Sequence, residues 1–334
     1  MVVTINSGAN LYPMWKVENS AFKSTTETNW KPFGHQCKVT SFEINNNVKK
    51  AYGLGSYEAA AQVGLQFDGK VGFEFLLCDP WIFSPLTGNT SVDAGVGPYT
   101  HTFINTAATP AALAAMNSIQ IDMSYALATA SHHTLQGCIL KTLGMKLAVN
   151  EPVVMTAEFE FANSVWSESS VTAQVAPTDA PFTFANANIE FPTGTTLSTT
   201  MPVQSADFTI NRNGAGVKGL GSRTTQAMIT KQSEYDLKAS LPFNLKTLLE
   251  YCYGSSSSLS PDAVLTETAN MRIILDNGLA TTASRKMDIN LTGILVNTFG
   301  TNGSVEDMLT QDIAFSIRGI KSIIATDNSA SQPV

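Results

Sequence analysis

Apolar and polar residues alternate along much of this chain, the two-residue period of a strand with one face buried and the other wet. Phe67, Val71, Phe73 and Phe75 fall on one side, with Asp68, Lys70 and Glu74 on the other. Tyr235, Leu237, Ala239 and Leu241 alternate in the same way with Glu234, Asp236 and Lys238, and Phe159 and Phe161 alternate with Glu158 and Glu160. Phe42 and Ile44 flank Glu43. The pattern predicts antiparallel sheets. A helical period appears at Pro242–Tyr253, where Leu245, Leu248, Leu249 and Cys252 share a face and Gly254 acts as a stop. Its counterpart near Asp79–Phe83 reads as a short turn, and Pro110–Met116 as one further helical turn. The glycines of Gly53-Leu54-Gly55-Ser56 and Gly219-Leu220-Gly221-Ser222 permit positive φ, so both segments read as tips of long hairpins.

The pattern repeats. FEINNNVKKAYGLGS from Phe42 matches FTINRNGAGVKGLGS from Phe208 without a gap, at an offset of 208 − 42 = 166 residues. Leu135-Gln-Gly137 matches Leu291-Thr-Gly293 at a smaller offset of 291 − 135 = 156, and Thr156–Phe161 matches Thr310–Phe315 at 310 − 156 = 154. Matching blocks in one order point to duplication. The expected organisation is an N-terminal arm (1–38), a first domain (39–165), a Ser/Thr/Pro/Ala-rich connector (166–202), a second domain (203–322) and a frayed tail (323–334). The expected fold class is mainly β. Each domain is a β-sandwich or partial barrel with a flanking helix or turn and a long hairpin loop.

Composition sharpens this. Charged residues are 14% of the 334 residues, against about 25% in an ordinary soluble domain, which suits a chain that covers its surface with other chains. The formal net charge is -7 and no basic cluster exceeds Lys49-Lys50, which opposes tight nucleic-acid binding. Cys37, Cys78, Cys138 and Cys252 form no C-x-x-C pair and read as free thiols. The opening MVVTINSGANLYPMWK lacks a basic-then-apolar leader, and no apolar run has the length of a membrane span.

Candidate chemistry is sparse. Gly214-Ala-Gly216-Val-Lys-Gly219 is a formal G-x-G-x-x-G, but residues 220–232 beyond it are Thr-rich and strand-like, whereas a dinucleotide site needs a helix there. His132 and His133 are strand neighbours and point to opposite faces, so they do not share a metal. His35 and His101 complete no H-E-x-x-H pattern, and there is no G-x-S-x-G elbow. The carboxylates Asp68, Glu74, Glu158, Glu160, Glu234, Asp236 and Asp312 lie on polar strand faces. They read as a solvated sheet face, as the wall of an acidic channel, or as a glycosidase pair. The last fits poorly, because Asp68 matches Glu234 and Glu158 matches Asp312, and an active site seldom needs two copies per chain. No cofactor and no catalytic residue is expected.

Tyr52-Gly-Leu-Gly-Ser56, Phe67-Asp-Gly69, Leu77-Cys-Asp-Pro80 and Pro98-Tyr-Thr-His-Thr-Phe103, followed by Leu135–Leu143 and Asn150–Ala157, resemble the tail tube proteins of long-tailed phages and related viruses. The likeness covers most of the first unit and, more faintly, the second, which lacks the Tyr-Thr-His-Thr-Phe stretch. It implies a β-sandwich with a helix and a long hairpin loop. It also implies rings of six such domains, three chains where two domains are fused, whose inner sheets join as one barrel. Rings would stack through the arm and through loops 45–60 and 211–226, making Gly53, Leu54, Gly55, Ser56, Gly219, Leu220, Gly221 and Ser222 inter-ring candidates. The seven carboxylates become lumen-lining candidates. The implied partners are further copies of the chain, tip, terminator and sheath proteins, and viral DNA that passes without specific binding. The implied location is the virion tail, assembled in the host cytoplasm. A baseplate hub or tail-terminator ring using the same duplicated domain is the alternative.

Overall fold

The structure is a computed structural model. It describes residues 11–18, 22–23, 30–52, 54, 57–86, 91–92, 97–105, 118–125, 131–168, 177–191, 203–229, 231–242, 247–254, 257–262, 264–265, 267, 270–279, 283–303 and 309–328. The chain is mainly β. Up to residue 167 it forms β1 (Leu11–Val17), β2 (Lys31–Pro32), β3 (His35–Asn45), β4 (Val48–Tyr52), β5 (Ala59–Gly64), β6 (Asp68–Leu76), β7 (Ser91–Val92), β8 (Tyr99–Asn105), β9 (Ile119–Tyr125), β10 (Ser131–Ala148), β11 (Val154–Phe161) and β12 (Asn163–Ser167). Beyond it come β13 (Ala187–Glu190), β14 (Ser205–Asn211), β15 (Ala215–Val217), β16 (Ala227–Ile229), β17 (Glu234–Pro242), β18 (Met271–Asp276), β19 (Lys286–Asn302) and β20 (Thr310–Asp327).

The alternation read from the sequence becomes sheet geometry. Val71, Phe73 and Phe75 of β6, Phe159 and Phe161 of β11, and Leu237 and Leu241 of β17 are all buried. Their polar neighbours lie on the opposite face. A single path of antiparallel strands runs β13-β18-β19-β20-β17-β14-β10-β11-β6-β3. In the first part β3 pairs β6, β6 pairs β11, β11 pairs β10, and β10 pairs β9. In the second, β14 pairs β17, β17 pairs β20, β20 pairs β19, and β19 pairs β18. The registers correspond at offsets of 166 and 156, which moves the sequence match of the last strand by two residues: Thr156, not Glu158, is the counterpart of Asp312. Phe42 faces Val71 as Phe208 faces Leu237. Val71 faces Phe159 as Leu237 faces Phe315. The register slips between Leu140 and Thr142 on β10, and between Val296 and Thr298 on β19.

The long strand β10 serves two layers. Its first part pairs β9 and β12; its last part pairs β11 and β14. The layer of β1, β9 and early β10 lies over the layer of β3, β6 and β11. Phe33 sits between them, its ring stacked on Phe73 at 4.4 Å and tilted against Trp15 at 6.4 Å. One apolar core runs through both parts, from Trp15 and Phe33 to Ile289 and Phe315. The strand β8 ties them further by pairing the end of β20.

Several boundaries differ from the expected ones. Residues 11–17 of the expected arm form β1, whose Met14, Trp15 and Val17 are buried under β9. The helix begins later than its apolar period suggested: Pro242 closes β17, and α1 (Thr247–Tyr253) carries the helical turn. Pairing with β8 and β19 holds β20 as strand to Asp327, inside the stretch expected to fray. The first-part counterpart of α1 is a 3-10 turn, Pro80–Leu86, wholly buried. The Pro110–Met116 turn and residues 1–10 lie outside the described residues.

Candidate functional site: a polar sheet face, its edges and two hairpins

All seven carboxylates singled out in the sequence lie on one side of the continuous sheet, opposite the core. Direct cross-strand partners share a face, so the registers define rows. One row runs Lys38, Glu74, Thr156, Gly144, Thr209, Asp236, Ser316. The next runs Ser41, Gly72, Glu158, Thr142, Asn211, Glu234. Glu43, Lys70 and Glu160 form a third, and Ser240, Asp312 and Gly300 belong to a fourth. Pairing thus brings together on one wall residues more than 200 positions apart in sequence.

The same face carries groups outside the expected set. Lys146, Asp207 and Lys238 form a row of two lysines to one carboxylate, and Lys38, Lys70 and Lys141 add further cations. Lys38 pairs Glu74 at 2.6 Å, and Lys141, at the β10 bulge, reaches Glu160 at 3.3 Å. The wall therefore holds nine carboxylates (the seven, Glu43 and Asp207) against five lysines (38, 70, 141, 146 and 238). It is net acidic but patterned. Strand alternation carried the signal for Lys146 and Asp207. It also placed Glu43, between Phe42 and Ile44, because the extra residue of β3 lies earlier, between Val39 and Ser41.

Hairpins extend from one end of the wall. The strands β4 and β5 pair, as do β15 and β16. Both rest on the same base. Asn47 has φ 46° and Asn213 φ 47°. Their backbone N–H groups donate to the side chains of Asn45 and Asn211, at 2.8 and 3.1 Å, and their side-chain amides donate to the carbonyls of Gln66 and Gln232, at 3.0 and 3.1 Å. Asparagine tolerates this left-handed backbone and closes such turns itself.

The second hairpin folds back onto the base of the first. Arg223 donates to Asn46 Oδ1 at 3.0 Å and to the Leu65 carbonyl at 3.2 Å, while the Phe67 N–H donates to the Arg223 carbonyl at 2.8 Å. The Lys218 ammonium pairs with Asp68. Burial pushes the Asp68 carboxyl upward, but hydrogen bonds from Lys218 and Asn47 outweigh it and hold the group below the usual carboxylate range. Of the inter-ring candidates, Leu220 projects fully into solvent between Gly219 and Gly221, with Ser222 behind it bonded to the Thr224 backbone. Leu54 projects likewise from the first hairpin. Gly53, Gly55 and Ser56 lie outside the described residues.

The sheet face ends on two uncovered strand edges. No described strand covers the outer side of β3. The strand β18 covers only the 286–291 part of β19, leaving the outer side of residues 298–302 without a described strand. Elsewhere the chain is quiet. Cys37 and Cys78 are pushed up to about 12 by burial, so neither is a thiolate near neutral pH. Among the described residues no group of three or more His, Cys, Asp or Glu side chains is placed to hold a metal ion. His132 meets Asp122 at 3.3 Å, whereas His133 lies on the other face against Ser164 and Trp166. No described helix is long and apolar enough to cross a membrane.

A mainly β, antiparallel chain of this kind, whose distinctive surfaces are a polar sheet face, open strand edges and long hairpins, belongs to the class of structural β proteins. The family model for the phage tail tube protein matches residues 53–316, most of the chain, and the protein belongs to that family. It is accordingly a structural component of the virion tail. The chain finds no match among curated proteins.

Proposed function

We propose that three copies of this chain close into a ring of six similar sheet units, and that rings stack into a hollow tube whose lumen is the polar face. The observation that carries this reading is the β10–β14 seam. There residues 142–148 pair with residues 205–211 and join two sheets of like pairing order into one. The recurrence of that order at offsets of 166 and 156 supports two duplicated units bounded near 39–165 and 203–322. A head-to-tail contact that closes by rotation removes every open edge, which is otherwise an aggregation hazard. Interfaces of such obligate assemblies bury on the order of 2,000–5,000 Å², a demand that the low charge content suits.

The lumen would then repel phosphate. Carboxylates exceed lysines on the polar face, so DNA meets a wall of its own sign and finds no cluster of cations to hold it. The Lys146-Asp207-Lys238 row holds one lysine in excess, within a wall that stays net acidic. The hairpin tips, Leu54 and Leu220 foremost, are the proposed contacts between rings, together with residues of the arm. Other tail proteins would cap the two ends of the stack.

The lining is tested by charge reversal at Glu158, Glu234 and Asp236, all exposed on the polar face. Asp68 is left intact because it anchors Lys218. Replacing the three with lysine is expected to leave tubes assembled and to slow or stop DNA delivery by particles that carry them. Delivery at the normal rate from intact tubes would show that this face does not line the channel.

A further inference from the structure

The internal seam is a template for the contact between copies. Phe208 and Ile210 of β14 are 2% and 1% exposed, covered by Met145 and Leu143 of β10, which stand directly opposite them. Their counterparts 166 residues earlier, Phe42 and Ile44 of β3, are 42% and 41% exposed. They point to the core side of the sheet yet have no described strand beyond them. The counterpart of the covering segment, 156 residues after Thr142–Lys146, is Thr298–Asn302 of β19, whose outer side is likewise uncovered. Each edge lacks what the other supplies.

We infer that β19 of one copy adds to β3 of the next in a single register: Thr298 opposite Asn45, Phe299 opposite Ile44, Gly300 opposite Glu43, Thr301 opposite Phe42, and Asn302 opposite Ser41. This rests on the ring reading above and goes beyond it by fixing which residues meet. The register transfers the pairs Thr142–Asn211, Leu143–Ile210, Gly144–Thr209, Met145–Phe208 and Lys146–Asp207. Its chemistry is consistent at four of the five positions; at the fifth, Thr301 stands opposite Phe42 where the seam has Met145 opposite Phe208. Phe299 joins Ile44 on the core side, as Leu143 joins Ile210. Gly300 opposite Glu43 repeats the glycine of Gly144 opposite Thr209. On the polar side Thr298 meets Asn45 as Thr142 meets Asn211, and Asn302 with Ser41 replaces the facing Lys146 and Asp207 of the seam with neutral groups. A slip of one residue would turn Ile44 and Phe42 toward the polar face. The match stops at Ser41, because β3 carries an extra residue beyond it and β14 does not.

The hairpins point the same way. In the seam, Lys218 and Arg223 of the second hairpin seat on the base of the first. Their counterparts on the first hairpin, Tyr52 and Tyr57, are 63% and 103% exposed. The rotation that brings β3 to the next copy's β19 carries both tyrosines to that copy's second-hairpin base.

Disulfide trapping tests the register with four substitutions in four pairings. Phe42→Cys with Thr301→Cys and Glu43→Cys with Gly300→Cys are matched pairs. They are adjacent, so one of them is the closer, non-hydrogen-bonded kind that a cross-strand disulfide requires. Phe42→Cys with Gly300→Cys and Glu43→Cys with Thr301→Cys are the same residues slipped by one position. In assembled protein under mild oxidation, at least one matched pair is expected to give covalent dimers and trimers on a non-reducing gel. Slipped pairs should give about tenfold less, because adjacent side chains point to opposite faces. Equal or better trapping by a slipped pair, or assembly with no trapping by any pair, overturns the register while leaving ring formation standing. Failure of the unsubstituted chain to assemble at all overturns the ring reading together with it.

Discussion

Gly137 and Gly293 occupy equivalent corners of β10 and β19, with φ 61° and 66°. At Gly137 the backbone N–H donates to Glu18 Oε1 at 2.9 Å, and the other carboxylate oxygen accepts from Ser118 and from the Lys23 N–H. A Cβ there would stand 2.8 Å from the Phe22 ring and 3.0 Å from Ala162 Cβ. Left-handed strain and crowding act together, so Gly137→Ala is expected to cost about 1–3 kcal/mol, read as a lowered denaturant midpoint at an unchanged slope. An unchanged midpoint would mean that the corner is not rigid. Asp79 offers a second test. Burial pushes its carboxyl up to about 6, against opposing effects of the Trp81 N–H and Lys31, while Asp327 and Asp179 add to the rise. The folded chain therefore favours the neutral acid. This contribution is fully present below the ordinary carboxylate pKa and is lost as pH rises through about 6. Stability measured from pH 5 to 7 should fall less steeply in Asp79→Asn than in the parent; an identical slope would place the titration elsewhere.

At the scale of elements, the open edge of β3 is the decisive feature. An inward-pointing charge is how natural edge strands avoid pairing. Ile44→Lys is therefore expected to leave the isolated chain as stable as the parent, since residue 44 is already well exposed, while abolishing sedimentation as rings or tubes. A variant that still assembles would exonerate this edge. The strands themselves were legible in the sequence, because Phe159 against Glu158 or Leu237 against Asp236 leaves one choice of face. Hairpins were legible through their glycines and through FEINNN and FTINRN, whose asparagines close the turns. The helix start was not, since Pro242 both ends a strand and resembles a first helical residue. Nor was β1: a single short strand carries little periodic signal, and its burial depends on β9, about 100 residues later. The Lys218 and Arg223 contacts are long-range and polar, and no local pattern announces them.

For the whole molecule, the sheet path matters more than any one side chain. It carries the seven carboxylates read from alternation onto one wall, and it sets Lys38, Lys141 and Lys146 among them beside the Lys70 and Lys238 that alternation had already placed there. The family match makes the chain a tail tube protein, and the seam of β10 with β14 supplies a physical reason why such a chain would not remain single. The central claim is that copies continue the sheet of one chain into the next until it closes around a lumen. A cryo-electron-microscopy map of tubes assembled from the purified chain tests this directly. The expected map has threefold rings, near-sixfold in outline, with density for β3 running antiparallel beside residues 298–302 of the adjacent copy and the carboxylate rows facing the bore. Isolated monomers, or rings whose β3 edge faces solvent, would contradict it.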